Sequence, residues 1–298
     1  MLQKYNKKND NIRIFIDGKL YKRHEAKISV FDSLVQGGDG VWEGIRIYNG
    51  RIFCFEAHLR RLIESAKSLD FKNIPSISYI KDSIFTTLKS NNMKDNVHIR
   101  LTLSRGIKIT SGMNPKLNQS GCTLIVLAEW KPPIYSKPIK LITSSVRRNS
   151  PACLDSKIHH NNLINNILAK IEANYAGVDD AIMLDLDSFV SETNATNIFM
   201  IKDSVVYTPF AKSCLPGITR NTIIDLCKDN NIPIAEKDIS ITELYNADNV
   251  FTTGTMGELA QVIEIDNRKI ASKKGNILVN ILDLFNKMTE KEGFILPF

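Results

Sequence analysis

Residues 154–166 read LDSKIHHNNLINN: one lysine, two adjacent histidines and two Asn pairs, just ahead of the helix-like run ILAKIEANYAG. The stretch has three chemical readings: a metal site, a nucleic-acid surface, or a place where Lys157 does covalent chemistry. Adjacent side chains rarely turn to one metal, and no carboxylate or cysteine cluster supports His159 and His160 at zinc spacing. That leaves the histidines lining a loop around the lysine. The formal charge of +7 and pI near 9.0 suit nucleic acid, phosphate ligands or acidic substrates. The lysines are dispersed rather than gathered into a stripe, which disfavours nucleic acid.

The surrounding chain reads as a globular α/β protein. Its 298 residues suffice for one large domain or two ordinary ones, and its 43% hydrophobic and 24% charged fractions are those of a soluble protein. No apolar run approaches bilayer-spanning length, and MLQKYNKKNDN lacks the apolar segment of a secretory signal, so the cytoplasm is expected. The five cysteines are scattered without a CxxC pair and are expected as packed, reduced thiols. IRIFIDGKLYKR and IRIYNGRIFCF are hairpin texts with DG and NG turns. Leu59, Leu62, Ile63, Ala66 and Leu69 lie at helical spacing. VHIRLTLSRG and CTLIVLAEW are strands, and KPPIYSKP reads as a linker. Beyond it come the strand IKLITSSV and a helix over residues 162–175, with Leu163, Ile167, Ile171 and Tyr175 at four-residue steps and Gly177 to end it. Two hairpins with turns at Asp187-Ser188 and Asp203-Ser204, the helix TRNTIIDLCKDN and the strand NVFTT follow. This gives a domain of residues 1–130, a linker at 131–138 and a second domain of 139–298.

Two segments have the form of phosphate cradles. In LPGITRNTII a glycine precedes the start of a helix, whose unpaired N–H groups face outward. In VFTTGTMGEL a strand runs into Gly254, Thr255 and Gly257. Either alone is equally an ordinary element entry. Together with Lys157, SETNATNIF, YTP and LPGITR, in that order, they resemble the class IV (fold type IV) pyridoxal-phosphate-dependent aminotransferases. That group includes branched-chain and D-amino-acid aminotransferases and aminodeoxychorismate lyase. The resemblance extends through GDGVWEGIRIYNGRIFCFEAHLRRL and HIRLTLSRG, covers roughly residues 13–285, and is closest to branched-chain-aminotransferase-like proteins, with which SGMNP, TLIVLAEWKPP, DSKIHHNN and VSETNATNIF are shared.

The resemblance implies a small N-terminal domain and a larger C-terminal one with the site between them. It also implies pyridoxal 5′-phosphate as cofactor and transamination between a branched-chain L-amino acid and 2-oxoglutarate. Lys157 is implied to hold the cofactor and move the proton, and Glu192 to sit beside the pyridine nitrogen. Arg61, with Gly217, Ile218, Thr219, Gly254 and Thr255, is implied to bind the phosphate, and Arg60 to face solvent. Trp42, Gly44, Arg100, Trp130, Thr255 and Met256 are implied around the substrate; the two tryptophans are equally readable as core. No metal is implied. A homodimer or higher homo-oligomer is, with the loop Gly106 to Gln119 and its Met113 reaching the partner's pocket. The loop is equally readable as a plain solvated connection.

The chain departs from the family pattern in four places. Lys157 stands five residues before Asn162, where relatives have three or four, which is read as a lengthened loop. Asn194 replaces a small residue and would add a hydrogen bond near the ring. Gly37 and Leu163 each replace a common tyrosine, implying an altered or roomier pocket. Aminodeoxychorismate lyase and D-amino-acid aminotransferase chemistry compete on the same scaffold. From a different class, so does a catalytically inactive, basic binding protein that kept the fold.

Overall fold

Asp17-Gly18 and Asn49-Gly50 each hold two successive residues at positive φ, 44° and 85°, then 48° and 76°. This is the turn geometry that matches strand twist. The first closes β1 (Arg13–Ile16) on β2 (Lys19–Lys22), and the second β3 (Gly40–Tyr48) on β4 (Arg51–Ile52). The computed structural model describes residues 5–135, 137–271 and 276–298; the first four residues of the polar N-terminal stretch and residue 136 of the linker lie outside them. With β5 (Val97–Ser104), β6 (Thr123–Trp130) and the C-terminal strand Phe294–Ile295, the hairpins form an antiparallel seven-stranded sheet, ordered Phe294–Ile295, β4, β3, β5, β6, β1, β2. Helices α1 (Ser33–Gly37), α2 (Phe55–Ser68) and α3 (Ile77–Ser90) accompany it. Val41, Ile45 and Ile47 of β3 share a buried core with Leu59, Leu62 and Ala66 of α2, so the helix covers one sheet face with its apolar stripe.

The second sheet is mixed. It contains β7 (Ile139–Thr143), β8 (Asp180–Leu184), β9 (Val190–Thr193), β10 (Asn197–Lys202), β11 (Val205–Thr208), β12 (Ile234–Glu236), β13 (Asn249–Gly254) and β14 (Glu258–Ile265), ordered β12-β11-β10-β13-β14-β7-β8-β9, with β15 (Arg268–Lys269) paired to β14. Helices α4 (Ile164–Tyr175), α5 (Ile218–Asp229), α6 (Ile241–Tyr245) and α7 (Asn276–Lys291) complete the described α-helices. The core of this sheet gathers Ile139, Leu141, Ile198, Met200, Val250 and Val262. No helix of the described residues is long and apolar enough to cross a membrane.

The chain divides into two compact units. One holds Pro133–Lys157 and Leu163–Met288; the other holds the described chain up to Pro132 together with Ile158–Asn162 and Thr289–Phe298. A single change of domain at 131–138 therefore misses two returns to the N-terminal unit. The physical cause is backbone pairing: Trp42 N–H donates to His159 O at 2.9 Å and Asn161 N–H to Gly40 O at 2.7 Å, while Phe294–Ile295 pairs with β4.

Helix α4 runs where the spacing predicts, and its large apolar stripe is not the face that is buried. Ala169 and Ala173 pack on Ala181 and Met183, while Ile164, Ile167, Leu168, Ile171 and Tyr175 are exposed, Tyr175 at 89%. Two small side chains let the helix approach β8 closely, so the alanines are buried and the large apolar stripe is left outside. The loop from Gly106 to Gln119 is tied to itself and to α1: Asn118 Nδ2 donates to Ser33 Oγ at 2.8 Å and to Gly106 O at 2.7 Å. Its Met113 is 97% exposed.

Candidate functional site

In the C-terminal unit, β9 is buried along its length and carries Glu192 inward. A carboxylate there needs partners. Arg148 Nε donates to Oε1 at 2.7 Å, and Asn197 Nδ2 and Leu215 N–H donate to Oε2 at 3.4 Å each. Burial raises the Glu192 pKa and Arg148 opposes the rise. Nearby, burial pushes the Cys214 thiol up to about 12; Glu192 acts the same way, while Arg220, Arg148 and Lys157 oppose it. Lys157 is thus in electrostatic range of the thiol that Glu192 also reaches. Its side chain is exposed, and its N–H donates to Asp155 Oδ1 at 2.9 Å.

Asn197, which lies within SETNATNIF but is given no role by the resemblance, joins these pieces. Besides Glu192 it donates to Leu215 O at 2.9 Å, and a Cβ on Gly217 would lie 2.0 Å from its Oδ1. Only glycine lets the chain approach Asn197 so closely before turning into α5. That helix has no side-chain N-cap, so the N–H groups of Ile218 and Thr219 head a 12-residue helix with its positive end outward. Asn197 is also register partner to Thr253, which puts the two side chains on one sheet face. Thr253 Oγ1 is buried and has no hydrogen-bond partner among the described residues. Directly after it come Gly254, Thr255 and Met256, in the turn closed by the Gly254–Glu258 pair. An acid beside an arginine, an uncapped helix start, an orphaned hydroxyl and a lysine in electrostatic range form a donor set that fits a phosphorylated, nitrogen-containing ring. Asn194, expected near such a ring, is engaged elsewhere: its Oδ1 accepts from Ala181 N–H at 2.7 Å and its Nδ2 donates to Asp180 Oδ1 at 3.1 Å.

The remaining predicted residues lie in the N-terminal unit, around a residue that no local pattern singles out. Glu43 of β3 is fully buried. Arg61 of α2 grips it through Nε on Oε1 and Nη2 on Oε2, both 2.7 Å, the fork that the resemblance assigns to a phosphate. His58 Nδ1 lies 2.7 Å from Oε2 and His159 Nδ1 3.2 Å from Oε1. Burial alone would raise Glu43, but His159 and Arg61 hold it well below the usual carboxylate range. Burial also depresses His159 to about 4, so at neutral pH the imidazole is neutral and Arg61 carries the pairing charge. Arg60 is exposed.

His159 packs on Trp42 with 4.2 Å between centroids and the ring planes tilted by 35°, and the Arg100 guanidinium lies 3.4 Å from the Trp42 ring centre. Gly44 is register partner to Arg100. Burial lowers Arg100 to about 10, with Glu43 opposing. No acid of the described residues is within ion-pair distance of it. Trp42, Gly44, Arg61 and Arg100 therefore form one group. Trp130 does not join them: it pairs with Val97 of β5, whereas Trp42 pairs with Thr102, five residues and about 17 Å further along that strand. It packs on the core instead, as one reading of the sequence expects. Among the described residues no group of three His, Cys, Asp or Glu side chains could hold a metal ion.

Residues 40–265 match the family model for amino-transferase class IV. The chain belongs to this family. It is 56% identical over 292 residues to branched-chain-amino-acid aminotransferase-like protein 2 of Arabidopsis thaliana, covering 97% of this chain and 52% of that protein. The chain thus spans about half the length of that relative. To the branched-chain-amino-acid aminotransferase of Pseudomonas aeruginosa it is 34% identical, covering 93% and 94% of the two chains. Among solved structures, the Escherichia coli branched-chain amino acid aminotransferase superposes with a TM-score of 0.88 at 28% identity over 95% and 96% of the chains. The T.th. enzyme complexed with N-(5′-phosphopyridoxyl)-L-glutamate does so with 0.87 at 30% identity over 94% of each. The class IV fold, with its antiparallel N-terminal sheet and mixed C-terminal sheet, is thereby the fold of this chain.

Proposed function

We propose that this class IV aminotransferase exchanges amino groups between a branched-chain L-amino acid and 2-oxoglutarate, with pyridoxal 5′-phosphate bound at Lys157. The observation that carries the reading is the cluster around Asn197: Glu192 paired with Arg148, the Gly217 approach and the uncapped start of α5. Pyridoxal phosphate, when bound, supplies an electron sink for the charge left as a substrate amino acid loses its α-proton. Lys157 holds the cofactor and then moves that proton as general base and acid. Glu192 keeps a proton on the ring nitrogen, because a buried carboxylate favours a neighbouring cation. Ile218 and Thr219 N–H groups, with Thr255, hold the phosphate, and Arg61 is proposed as a further phosphate ligand, which requires its fork to open from Glu43. Arg100, partly buried and without an ion pair among the described residues, takes a substrate carboxylate. The relatives named for branched-chain substrates support the substrate class.

We further propose that the protein acts in the cytoplasm as a homodimer. Five free thiols support the first. The exposed apolar stripe on α4 and the exposed Phe31, Val35, Ile107, Ile109 and Met113 support the second, since patches of this kind mark association surfaces. Met113 is proposed to approach the partner's pocket.

The test is spectroscopic. The purified chain with pyridoxal phosphate is expected to be yellow, to be fixed by borohydride at Lys157, and to lose the aldehyde absorbance when leucine or valine is added. Cofactor trapped on another lysine refutes the Lys157 assignment. Pyruvate and 4-aminobenzoate released from aminodeoxychorismate, without conversion by leucine, would show lyase chemistry instead. Salt-sensitive heparin or RNA binding with no cofactor absorbance would show an inactive binding protein. A monomer by sedimentation with full activity at nanomolar concentration would refute the dimer.

A further inference from the structure

The turn Gly254–Thr255–Met256–Gly257 is held from outside by the segment that precedes β7. Ile134 N–H donates to Met256 O at 2.9 Å. One residue on, the Tyr135 ring lies so close to Gly257 that a Cβ there would sit 2.9 Å and 3.0 Å from two ring carbons. The turn is thus gripped at a carbonyl and at an adjacent α-carbon. It also needs the support: Glu258, which ends it, has φ of 50°, a left-handed conformation that a residue with a Cβ adopts at some cost.

Tyr135 in turn is fixed by a buried acid. Its hydroxyl donates to Asp180 Oδ2, and Asp180, only 2% exposed, accepts at Oδ1 from Lys170 Nζ at 3.1 Å and from Asn194 Nδ2 at 3.1 Å. Asn194 is itself locked to β8, its N–H donating to Ala181 O at 2.9 Å and its Oδ1 accepting from Ala181 N–H at 2.7 Å. Both oxygens of Asp180 are therefore occupied, and the phenol has one place to go. Charge-assisted hydrogen bonds inside a protein are strong and directional.

We infer that Tyr135 is a positioning residue for substrate binding: through Asp180 and Asn194 it sets the Thr255–Met256 backbone at which a substrate carboxylate is received. The inference rests on the proposed function and on the placement of Thr255 and Met256 around the substrate that the resemblance implies; it assigns a substrate carboxylate to their backbone, besides the one given to Arg100. Asn194, the chain's departure from the family pattern, becomes the residue that orients Asp180.

The probe is 4-methylvaleric acid, a branched carboxylate without an amino group, titrated calorimetrically into the cofactor-loaded protein. Tyr135→Phe keeps the ring and loses the anchor. It is expected to weaken binding of the acid about tenfold, the scale of one displaced hydrogen-bond pair, while the affinity for pyridoxal phosphate, read by absorbance, falls by less than that, because Ile218 and Thr219 hold the phosphate independently of the turn. Hydrogen exchange at residues 255–257 should quicken in the same variant. Gly257→Ala should also weaken binding, and adding Tyr135→Ala should restore part of the loss by removing the ring the new methyl meets. Equal binding by wild type and Tyr135→Phe overturns the role of Tyr135 alone. A wild type that holds pyridoxal phosphate yet does not bind the acid overturns the carboxylate assignment, and the inference with it.

Discussion

His98 gives the N-terminal unit an acid sensitivity that can be calculated. It sits on β5 with 7% of its surface exposed, and its Nε2 has no hydrogen-bond partner among the described residues. Burial, followed by the charges of Lys131, Arg46, Arg100 and His58, lowers its pKa from 6.5 to about 3. In the unfolded chain the imidazole takes a proton near 6.5; in the folded one it does so only near 3. Between those values the unfolded state binds the extra proton, so stability is fully present above 6.5 and falls as the pH falls. From pH 7 to pH 5 the loss is about 1.5 pH units at 1.36 kcal/mol each, roughly 2 kcal/mol. His159, depressed from 6.5 to about 4, adds a loss of similar size over the same interval. His98→Leu removes the first contribution and leaves the second. Trp42 and Trp130, the only tryptophans, both lie in this unit, so tryptophan fluorescence during urea unfolding reports on it. Going from pH 7 to pH 5, the wild-type midpoint should fall further than that of the variant, by on the order of 1 M urea. Superimposable pH dependences would refute the argument, because they would mean that His98 is protonated equally easily in both states.

Glu192→Gln should still bind pyridoxal phosphate but lose at least about a hundredfold in turnover. Because Arg148 then lacks its buried carboxylate, the unfolding temperature should also fall, which calorimetry would show; unchanged turnover would remove Glu192 from the site. Gly217→Ala places a methyl 2.0 Å from Asn197 Oδ1 and is expected to weaken cofactor binding at least about tenfold by displacing the first turn of α5, as measured by absorbance titration. Glu43→Gln leaves the Arg61 guanidinium largely buried without its acid, and should destabilise the N-terminal unit by about 3 kcal/mol in urea unfolding followed by tryptophan fluorescence.

What is legible in the sequence is what a short run of side chains can specify. DG and NG mark turns because both positions must take positive φ, and all four residues do. The helix at α2 follows from an apolar set at helical spacing that one core takes in. At α4 the same spacing argument finds the helix but does not single out the alanines, which close contact with β8 buries in place of the leucine and isoleucine stripe. Helix α3 carries the same mark: Ile80, Ile84 and Leu88 stand at four-residue steps behind the Ser76 N-cap, and all three are buried. Buried charge is the other blind spot. Glu43 looks like one alternate position in a strand, and its meaning comes from Arg61, 18 residues later, whose fork the strand and helix bring to it.

The segment around Lys157 shows the deeper limit. The family resemblance, not the stretch itself, singles out the lysine, and nothing in IHHNN announces that residues 158–162 join the other unit. The joining bonds run from Trp42 N–H to His159 O and from Asn161 N–H to Gly40 O, with Val41 bridging His160. Main-chain groups are the same in every residue but proline, so such pairing leaves no compositional trace. The side chains then exploit what the backbone has already done. Once His159 is carried to the edge of β3, its ring meets Trp42 on one side and Glu43 on the other. An imidazole that looks like a metal ligand beside a second histidine becomes the neutral partner of a buried acid. Its role is therefore set by which strand edge was free, a property of the fold that no local pattern encodes.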